Sequence, residues 1–308
     1  MRNRDLATSK LGRTDLTVTR LGFGAMEIRG SRIWNGRAVT EAQADRILNA
    51  VLDAGINFID TSNDYGRSEE FIGRFISHRR SEFYIATKCG CKVVPRDENT
   101  DDTPHEWTRE NLFRGLHESL SRLKTDYLDI IQLHNPSVEQ CVEGELVDAL
   151  KEMKQQGKVR WIGCSSTLPH ITAYIEWGVF DTFQIPYSAL ERAHENVITK
   201  AAQSGAGIID RGGVARGEPG VGLGGTDRWV KFEQAKLDEL REEGENRTVF
   251  LLRFLLAHPD IHTTIVGTAN PEHLDENISA AQRGPLAASI YAEAKRRLEA
   301  IGEKPETP

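Results

Sequence analysis

Leu128-Asp129-Ile130-Ile131-Gln132-Leu133-His134 is followed by an amphipathic run from Gly144 to Gln156, a stop at Gly157, and then Trp161-Ile162-Gly163-Cys164-Ser165. The two outer segments are short and mostly apolar, as strands buried on both faces tend to be. The middle segment repeats its apolar positions at helical spacing and ends at a glycine. A helix between two buried strands implies that the strands run parallel, because parallel neighbours need a crossover.

The same unit recurs on either side. Strands are expected at Arg20 to Gly24, Phe58 to Thr61, Phe83 to Lys88, Leu128 to His134, Trp161 to Ser165, Thr182 to Ile185, Gly207 to Asp210 and Thr263 to Gly267. Helices are expected after Thr40, an N-cap with Gln43 at the capping-box position, running to Asp53 before Gly55. Further helices are expected at Thr108 to Leu123, Gly144 to Gln156, Leu168 to Trp177, Asn196 to Ser204, Thr248 to Ala257 and Pro271 to Gln282. Eight such units fit a closed (β/α)8 TIM barrel, α/β in class, better than an open doubly wound sheet. The open sheet would have a G-x-G-x-x-G turn after its first strand, and Gly22-Phe23-Gly24-Ala25 lacks that spacing.

The chain of 308 residues is long enough for two domains at about 150 residues each, but the repeated unit makes it one. The expected domain is residues 1–308, with a barrel core at about 8–283 and a C-terminal helix and tail at 285–308. The segment Leu11 to Val18 reads as a hairpin, Gly212 to Gly225 as a mobile rim loop, and Glu303 to Pro308 as a disordered end.

Composition narrows the function. A net charge of −7 disfavours a protein built to grip nucleic acid. No apolar run is long enough for a transmembrane helix, and the polar start gives no secretory signal. Cys89, Cys91, Cys141 and Cys164 have no zinc or redox spacing, so free thiols, a cytoplasmic setting and no metal site are expected.

Chemistry in a parallel barrel sits where strands end. The second strand leads into Asp60 and Tyr65, the third ends at Lys88, and the fourth ends at His134. A lysine on a buried strand needs a partner, and Asp60 is the nearest candidate. A lysine cation beside a phenol lowers its pKa, which would make Tyr65 a proton donor to a developing alkoxide. A neutral imidazole at His134 could hold the same oxygen. Proton delivery to a carbonyl without a metal requires electrons from elsewhere, most simply a nicotinamide hydride.

Three stretches carry a family resemblance. They are Asn57-Phe58-Ile59-Asp60-Thr61-Ser62-Asn63-Asp64-Tyr65-Gly66-Arg67-Ser68-Glu69-Glu70, Ser119-Leu120-Ser121-Arg122-Leu123-Lys124-Thr125-Asp126-Tyr127-Leu128-Asp129, and Gln132-Leu133-His134. In this order and spacing the chain resembles the aldo-keto reductase superfamily. The resemblance implies a barrel closed at its bottom by an N-terminal hairpin, and NADPH or NADH across the mouth, with NADP slightly favoured. It implies Tyr65 as general acid, Lys88 and Asp60 tuning it, and His134 orienting substrate.

It also implies cofactor contacts at Gly24, Ala25, Met26, Asp60, Ser165, Ser166 (where the family usually has asparagine), Gln184 and Tyr187, the last stacking on the nicotinamide. Arg211, Gly212, Gly213 and Arg216 replace the family's Ser-Pro-Leu turn near the pyrophosphate. Gly267, Thr268, Asn270, His273 and Asn277 would face the adenosine phosphate, although NADP-preferring members carry basic residues at the positions of Gly267 and His273. Trp34 and Asn135 are expected at the substrate pocket, with Trp229 a weaker candidate. Asp129 reads as structural and Cys89 as packing.

The implied activity is reduction of an aldehyde or ketone, or oxidation of the matching alcohol or sugar. Two alternatives remain at this point: a cofactor-sensing binding subunit similar to potassium-channel β subunits, or a sugar-modifying enzyme using transient oxidation. A small-molecule substrate, no nucleic-acid or membrane partner, and a monomer or small homo-oligomer complete the expectation.

Overall fold

The computed structural model describes residues 6–30, 37–92 and 103–307 of the chain. An antiparallel hairpin, β1 (Thr8–Lys10) and β2 (Thr17–Thr19), precedes eight parallel strands. These are β3 (Leu21–Gly24), β4 (Phe58–Asp60), β5 (Tyr84–Cys89), β6 (Leu128–His134), β7 (Val159–Ser165), β8 (Thr182–Pro186), β9 (Gly207–Arg211) and β10 (Thr263–Val266). They pair in sequence order, and β10 closes the ring onto β3. The fold is therefore a (β/α)8 barrel.

The helices are α1 (Glu41–Asp53), α2 (Ser68–Phe75), α3 (Arg109–Leu123), α4 (Val138–Glu143), α5 (Leu146–Gln155), α6 (His170–Trp177), α7 (Glu195–Gln203), α8 (Thr226–Gln234), α9 (Arg247–Leu256), α10 (Pro271–Arg283) and α11 (Ala288–Ala300). Helix α1 begins with the expected capping box between Thr40 and Gln43. The helix expected from Gly144 to Gln156 is α5, and a short helix that was not expected, α4, precedes it. Helix α4 has its own capping box from Ser137 and Gln140. Glu145 then turns left-handed at φ 50°, which breaks the helical path before α5. Any Cβ at Gly144 would lie 2.4 Å from the Trp107 carbonyl oxygen, so the break carries a glycine.

Strand alternation divides the side chains into two sets. Phe58, Ala86, Ile130 and Ile209 point inward and pack on Leu11, Leu16 and Val18 of the hairpin segment, which plug the bottom. Ile59, Ile85, Ile131, Leu133, Phe183, Ile185 and Ile208 point outward into the larger core beneath the helices. Two residues further along, the inward set becomes Asp60, Lys88, Gln132 and His134, Ser165, Gln184 and Arg211. The mouth is polar because the period-two pattern, having filled the bottom with apolar groups, continues upward with these.

Two loop expectations are corrected. The Gly212–Gly225 segment is folded by its own hydrogen bonds, among them Ala215 N–H to the Gly212 carbonyl and Leu223 N–H to the Arg216 carbonyl. The Trp229 indole, on α8, donates to the Ala215 carbonyl at 3.2 Å and is buried beneath the loop, so it braces the rim rather than walling a pocket. The C-terminal end is docked, not disordered, up to residue 307. Arg192, completely buried, donates to Glu195 and Glu299 and to the Glu303 carbonyl, while its own N–H donates to the Glu303 carboxylate. Glu303 also pairs with Lys231, and the Glu306 carbonyl accepts from Asn196.

Candidate active site

Asp60, the last residue of β4, stands at the centre of the mouth. Its Oδ2 accepts from Lys88 Nζ at 2.7 Å, and its Oδ1 accepts from the amides of Gln132 at 3.0 Å and Gln184 at 2.7 Å. Lys88 also donates to the Thr61 carbonyl at 2.8 Å. Both charges are essentially fully buried. Burial alone would lower the pKa of Lys88, but Asp60, Tyr65 and Asp64 outweigh it and hold the ammonium above its ordinary value.

Tyr65 follows β4 in a tight turn, its N–H bonded to the Ser62 carbonyl and its own carbonyl accepting from Ser68, which also opens α2. Lys88 Nζ lies 4.8 Å from the Tyr65 ring centroid and hydrogen-bonds the phenol. The expected direction of the Tyr65 shift is reversed. Burial raises its pKa, Asp60 and Asp64 add to that, and the pull of Lys88 does not overcome them. At neutral pH the phenol keeps its proton.

His134, at the end of β6, presents its ring edge-on to Tyr65 with centroids 6.2 Å apart. Burial pushes its pKa down to about 3, opposed by Asp64 and reinforced by Lys88, His105 and Arg211, so the imidazole is neutral across the physiological range. Asp60, Tyr65, Lys88 and His134 are thus brought together as expected.

The turn that carries Tyr65 is anchored from behind. Glu69, buried in α2, accepts from Arg122 of α3 at 2.8 Å and from Thr87 of β5 at 2.7 Å. The Glu69–Arg122 pair thus ties the segment that carries Tyr65 to α3. Asp129 is structural as expected: it accepts from Arg80, Arg160 and the Ile85 N–H. Cys89 faces the outer core and packs there.

Among the expected cofactor residues, Ser165 and Gln184 face inward at the mouth. Ser165 Oγ and Gln184 Oε1 are buried, with no hydrogen-bond partner among the described residues. A buried hydroxyl and carbonyl oxygen left unpaired cost free energy unless a ligand supplies partners, and a carboxamide has the matching groups. The residues therefore fit a nicotinamide. Ser166 is buried alongside, with its hydroxyl 3.5 Å from the Thr167 carbonyl.

Tyr187 does not stack at the mouth. It shares the outward parity of Phe183 and Ile185, packs against Phe254 and His258, and donates to Glu195 at 2.9 Å beneath the helices. Arg211, one strand further on, holds the inward position. Gly212 follows at φ +77° with open space over its Cα, a backbone that would allow a ligand to come close. Gly213 is packed behind it, where a Cβ would meet Leu255 at 2.1 Å and Asp210 at 2.6 Å. Arg216, left-handed at φ 63°, is exposed on the same rim.

Gly24 ends β3, with Ala25 and Met26 in the turn that follows, beside Gly267, whose Cβ would lie 2.4 Å from the Gly24 carbonyl oxygen. Thr268 Oγ1 accepts from the Asn270 N–H, and Asn270 caps α10 by accepting from Glu272 N–H at 3.0 Å. His273 is half-buried and Asn277 buried on that helix. Asn135 sits exposed on the rim at φ 62°, its N–H bonded to the Ser165 carbonyl. Trp34 lies outside the described residues.

Sequence reasoning missed Gln132, Glu69 and Arg122. Gln132 was detectable, because it shares the inward parity of Ile130 and His134. It also missed a cluster: Cys91, His105 and His134 each bring a ligand atom within 4.8 Å of the others. The expectation of no metal ligands rested on spacing along the chain, whereas these three come from separate elements.

Comparison with known proteins gives the family. The Aldo/keto reductase family model matches residues 20–219. The NADH-specific methylglyoxal reductase of Escherichia coli (strain K12) is 29% identical over 88% of this chain and 92% of its own length. Oxidoreductase YrpG of Bacillus subtilis (strain 168) is 30% identical over 96% of this chain and 97% of its own. The holo structure of aldo-keto reductase AKR11C1 from Bacillus halodurans superposes with a TM-score of 0.83, at 27% identity, covering 95% of this chain and 96% of that one. The chain belongs to the aldo/keto reductase family, and with it to the NAD(P)-dependent oxidoreductases.

Proposed function

We propose that this protein reduces the carbonyl group of a small aldehyde or ketone, with Tyr65 as the general acid and NADH as the favoured reductant. The observation that carries the reading is the convergence of Tyr65, Lys88, Asp60 and His134 beside the unpaired oxygens of Ser165 and Gln184. When bound, the nicotinamide supplies a hydride to the carbonyl carbon. The chain's own part is proton placement. Tyr65, kept protonated by burial, gives its proton to the carbonyl oxygen. Neutral His134 orients that oxygen, and Lys88, fixed by Asp60, supports the phenolate left behind. The same groups serve alcohol or sugar oxidation in reverse.

Ser165 and Gln184 would hold the carboxamide, with Asp60 fixing the Gln184 amide. Arg211, Gly212, Gly213 and Arg216 would line the pyrophosphate side, beside Gly24, Ala25 and Met26. Thr268, Asn270, His273 and Asn277 would meet the adenosine end. The slight sequence preference for NADP moves toward NAD on one observation. A base cannot stand at Gly267, because its Cβ would collide with the Gly24 carbonyl. A 2′-phosphate is then left with His273 among the acids Glu272, Asp275 and Glu276. The relative from Escherichia coli, whose name marks it as NADH-specific, is consistent with that reading.

Fluorescence titration with NADH and NADPH, followed by turnover of a panel of aldehydes and ketones, tests the proposal. Tighter binding of NADH, and an NADPH affinity restored by His273→Arg, are expected. Tight cofactor binding without turnover of any carbonyl or alcohol would instead indicate a binding subunit and overturn the reading.

A further inference from the structure

Cys91 and His105 face each other across an antiparallel bridge just beyond β5. Cys91 Sγ lies 3.0 Å from His134 Nδ1 and 3.5 Å from His105 Nε2. The His105 ring lies edge-on to His134 at 5.7 Å and stacks on Trp107 at 5.3 Å. Asp64 Oδ2 is 3.8 Å from His134 Nδ1, and the Asp64 carboxylate hydrogen-bonds Cys91. None of these contacts is needed for the proton transfer assigned to Tyr65.

We propose that Cys91, His105 and His134 form a binding site for a soft divalent transition metal, represented by Zn2+, and that filling it arrests turnover. The inhibition rests on the catalytic reading of His134; the metal binding does not.

The donor set is one thiolate and two imidazoles, which suits zinc and not magnesium or calcium. Zn–S of about 2.3 Å and Zn–N of about 2.0 Å at a tetrahedral angle require S···N of about 3.5 Å. The Cys91–His105 pair already stands at that separation. The Cys91–His134 pair must open by about 0.5 Å, which a small rotation of the imidazole provides. His105 is exposed and can adjust, and a water would take the fourth position. Binding replaces the S–H bond of Cys91 by an S–Zn bond and releases one proton to solvent, with no change of oxidation state. His134 is then pinned through Nδ1 and turned from its place beside Tyr65, with a dication added next to it. Misplacement of an orienting group by about 1 Å costs on the order of 10²-fold in rate, so the smaller shift here together with the added dication sets the expected loss.

Cobalt(II) is the probe, because thiolate ligation gives it a charge-transfer band and tetrahedral geometry gives it visible absorption. Metal-free full-length protein is titrated with Co2+, then with Zn2+ as competitor, and the carbonyl reductase rate is followed in parallel. The wild type should show both features at one equivalent, lose them to Zn2+, and lose its activity with the same midpoint. Cys91→Ser should lack the charge-transfer band. His105→Ala should bind at least about tenfold more weakly, and its basal turnover should be insensitive to Zn2+ at concentrations that stop the wild type. A wild type without the thiolate band, or a His105→Ala variant with unchanged affinity, overturns the site. A wild type that turns over carbonyls yet shows no band refutes the metal site alone. One that shows the band but never reduces a carbonyl refutes the proposed function and leaves the metal site standing.

Discussion

Replacing Lys88 with methionine removes one partner of an ion pair whose two side chains are 1% and 2% exposed. The remaining carboxylate of Asp60 stays buried. Losing one partner of a buried pair costs about 3–5 kcal/mol. Asp60 keeps two amide donors, from Gln132 and Gln184, which places the loss at the lower end, about 3 kcal/mol. An unfolding entropy of about 2.1 cal/mol/K per residue over 308 residues amounts to about 0.65 kcal/mol/K. The melting temperature should therefore fall by about 5 °C. Thermal melts of the wild type, Lys88→Met, Asp60→Asn and the double variant at one pH measure it. The double variant should be more stable than the sum of the single losses by at least about 1 kcal/mol, because it removes both charges together. A single variant melting within about 1 °C of the wild type, or strictly additive losses, would refute the pairing argument.

Two further predictions concern buried ionisable groups outside the proposed catalytic set. Asp210 is fully buried, accepts from Thr264, and has its pKa pushed up to about 8 by burial. A raised folded pKa gives stability that is complete below about pH 4 and is lost as the pH rises through about 8. Asp210→Asn cannot ionise, so its stability relative to the wild type should climb between those values; denaturant midpoints at acidic and alkaline pH that shift in parallel would count against it. Removing residues 302–308 exposes Arg192 and takes away its Glu303 contacts and the Lys231–Glu303 pair. A loss of about 2–3 kcal/mol is expected in denaturant unfolding, and an unchanged midpoint would show that the docked end contributes nothing.

The barrel was legible in the sequence because short strands rich in apolar residues alternate with segments of helical periodicity. β6 falls on the expected residues, and the other barrel strands fall within two residues of them. The four candidate residues at the mouth were legible because strand ends are where a barrel places polar groups. Tyr187 was misread because the resemblance supplied a residue type, whereas strand parity decides the direction. Counting by twos from Gln184 turns position 187 outward and position 211 of the next strand inward. The Tyr65 pKa was misjudged because a charge partner is visible in a sequence and the depth of burial is not. The docked C-terminal end and the Cys91, His105 and His134 cluster depend on segments far apart in the chain, and no local pattern marks them.

Tyr65→Phe tests the catalytic assignment most directly. The variant removes one hydroxyl and leaves Ser165, Gln184, Arg211 and the adenosine end untouched. Carbonyl reduction should fall by about 10²–10⁴-fold, while fluorescence titration with NADH gives nearly the wild-type affinity. A variant that still reduces carbonyls within about threefold of the wild-type rate would contradict the assignment of Tyr65 as the proton donor.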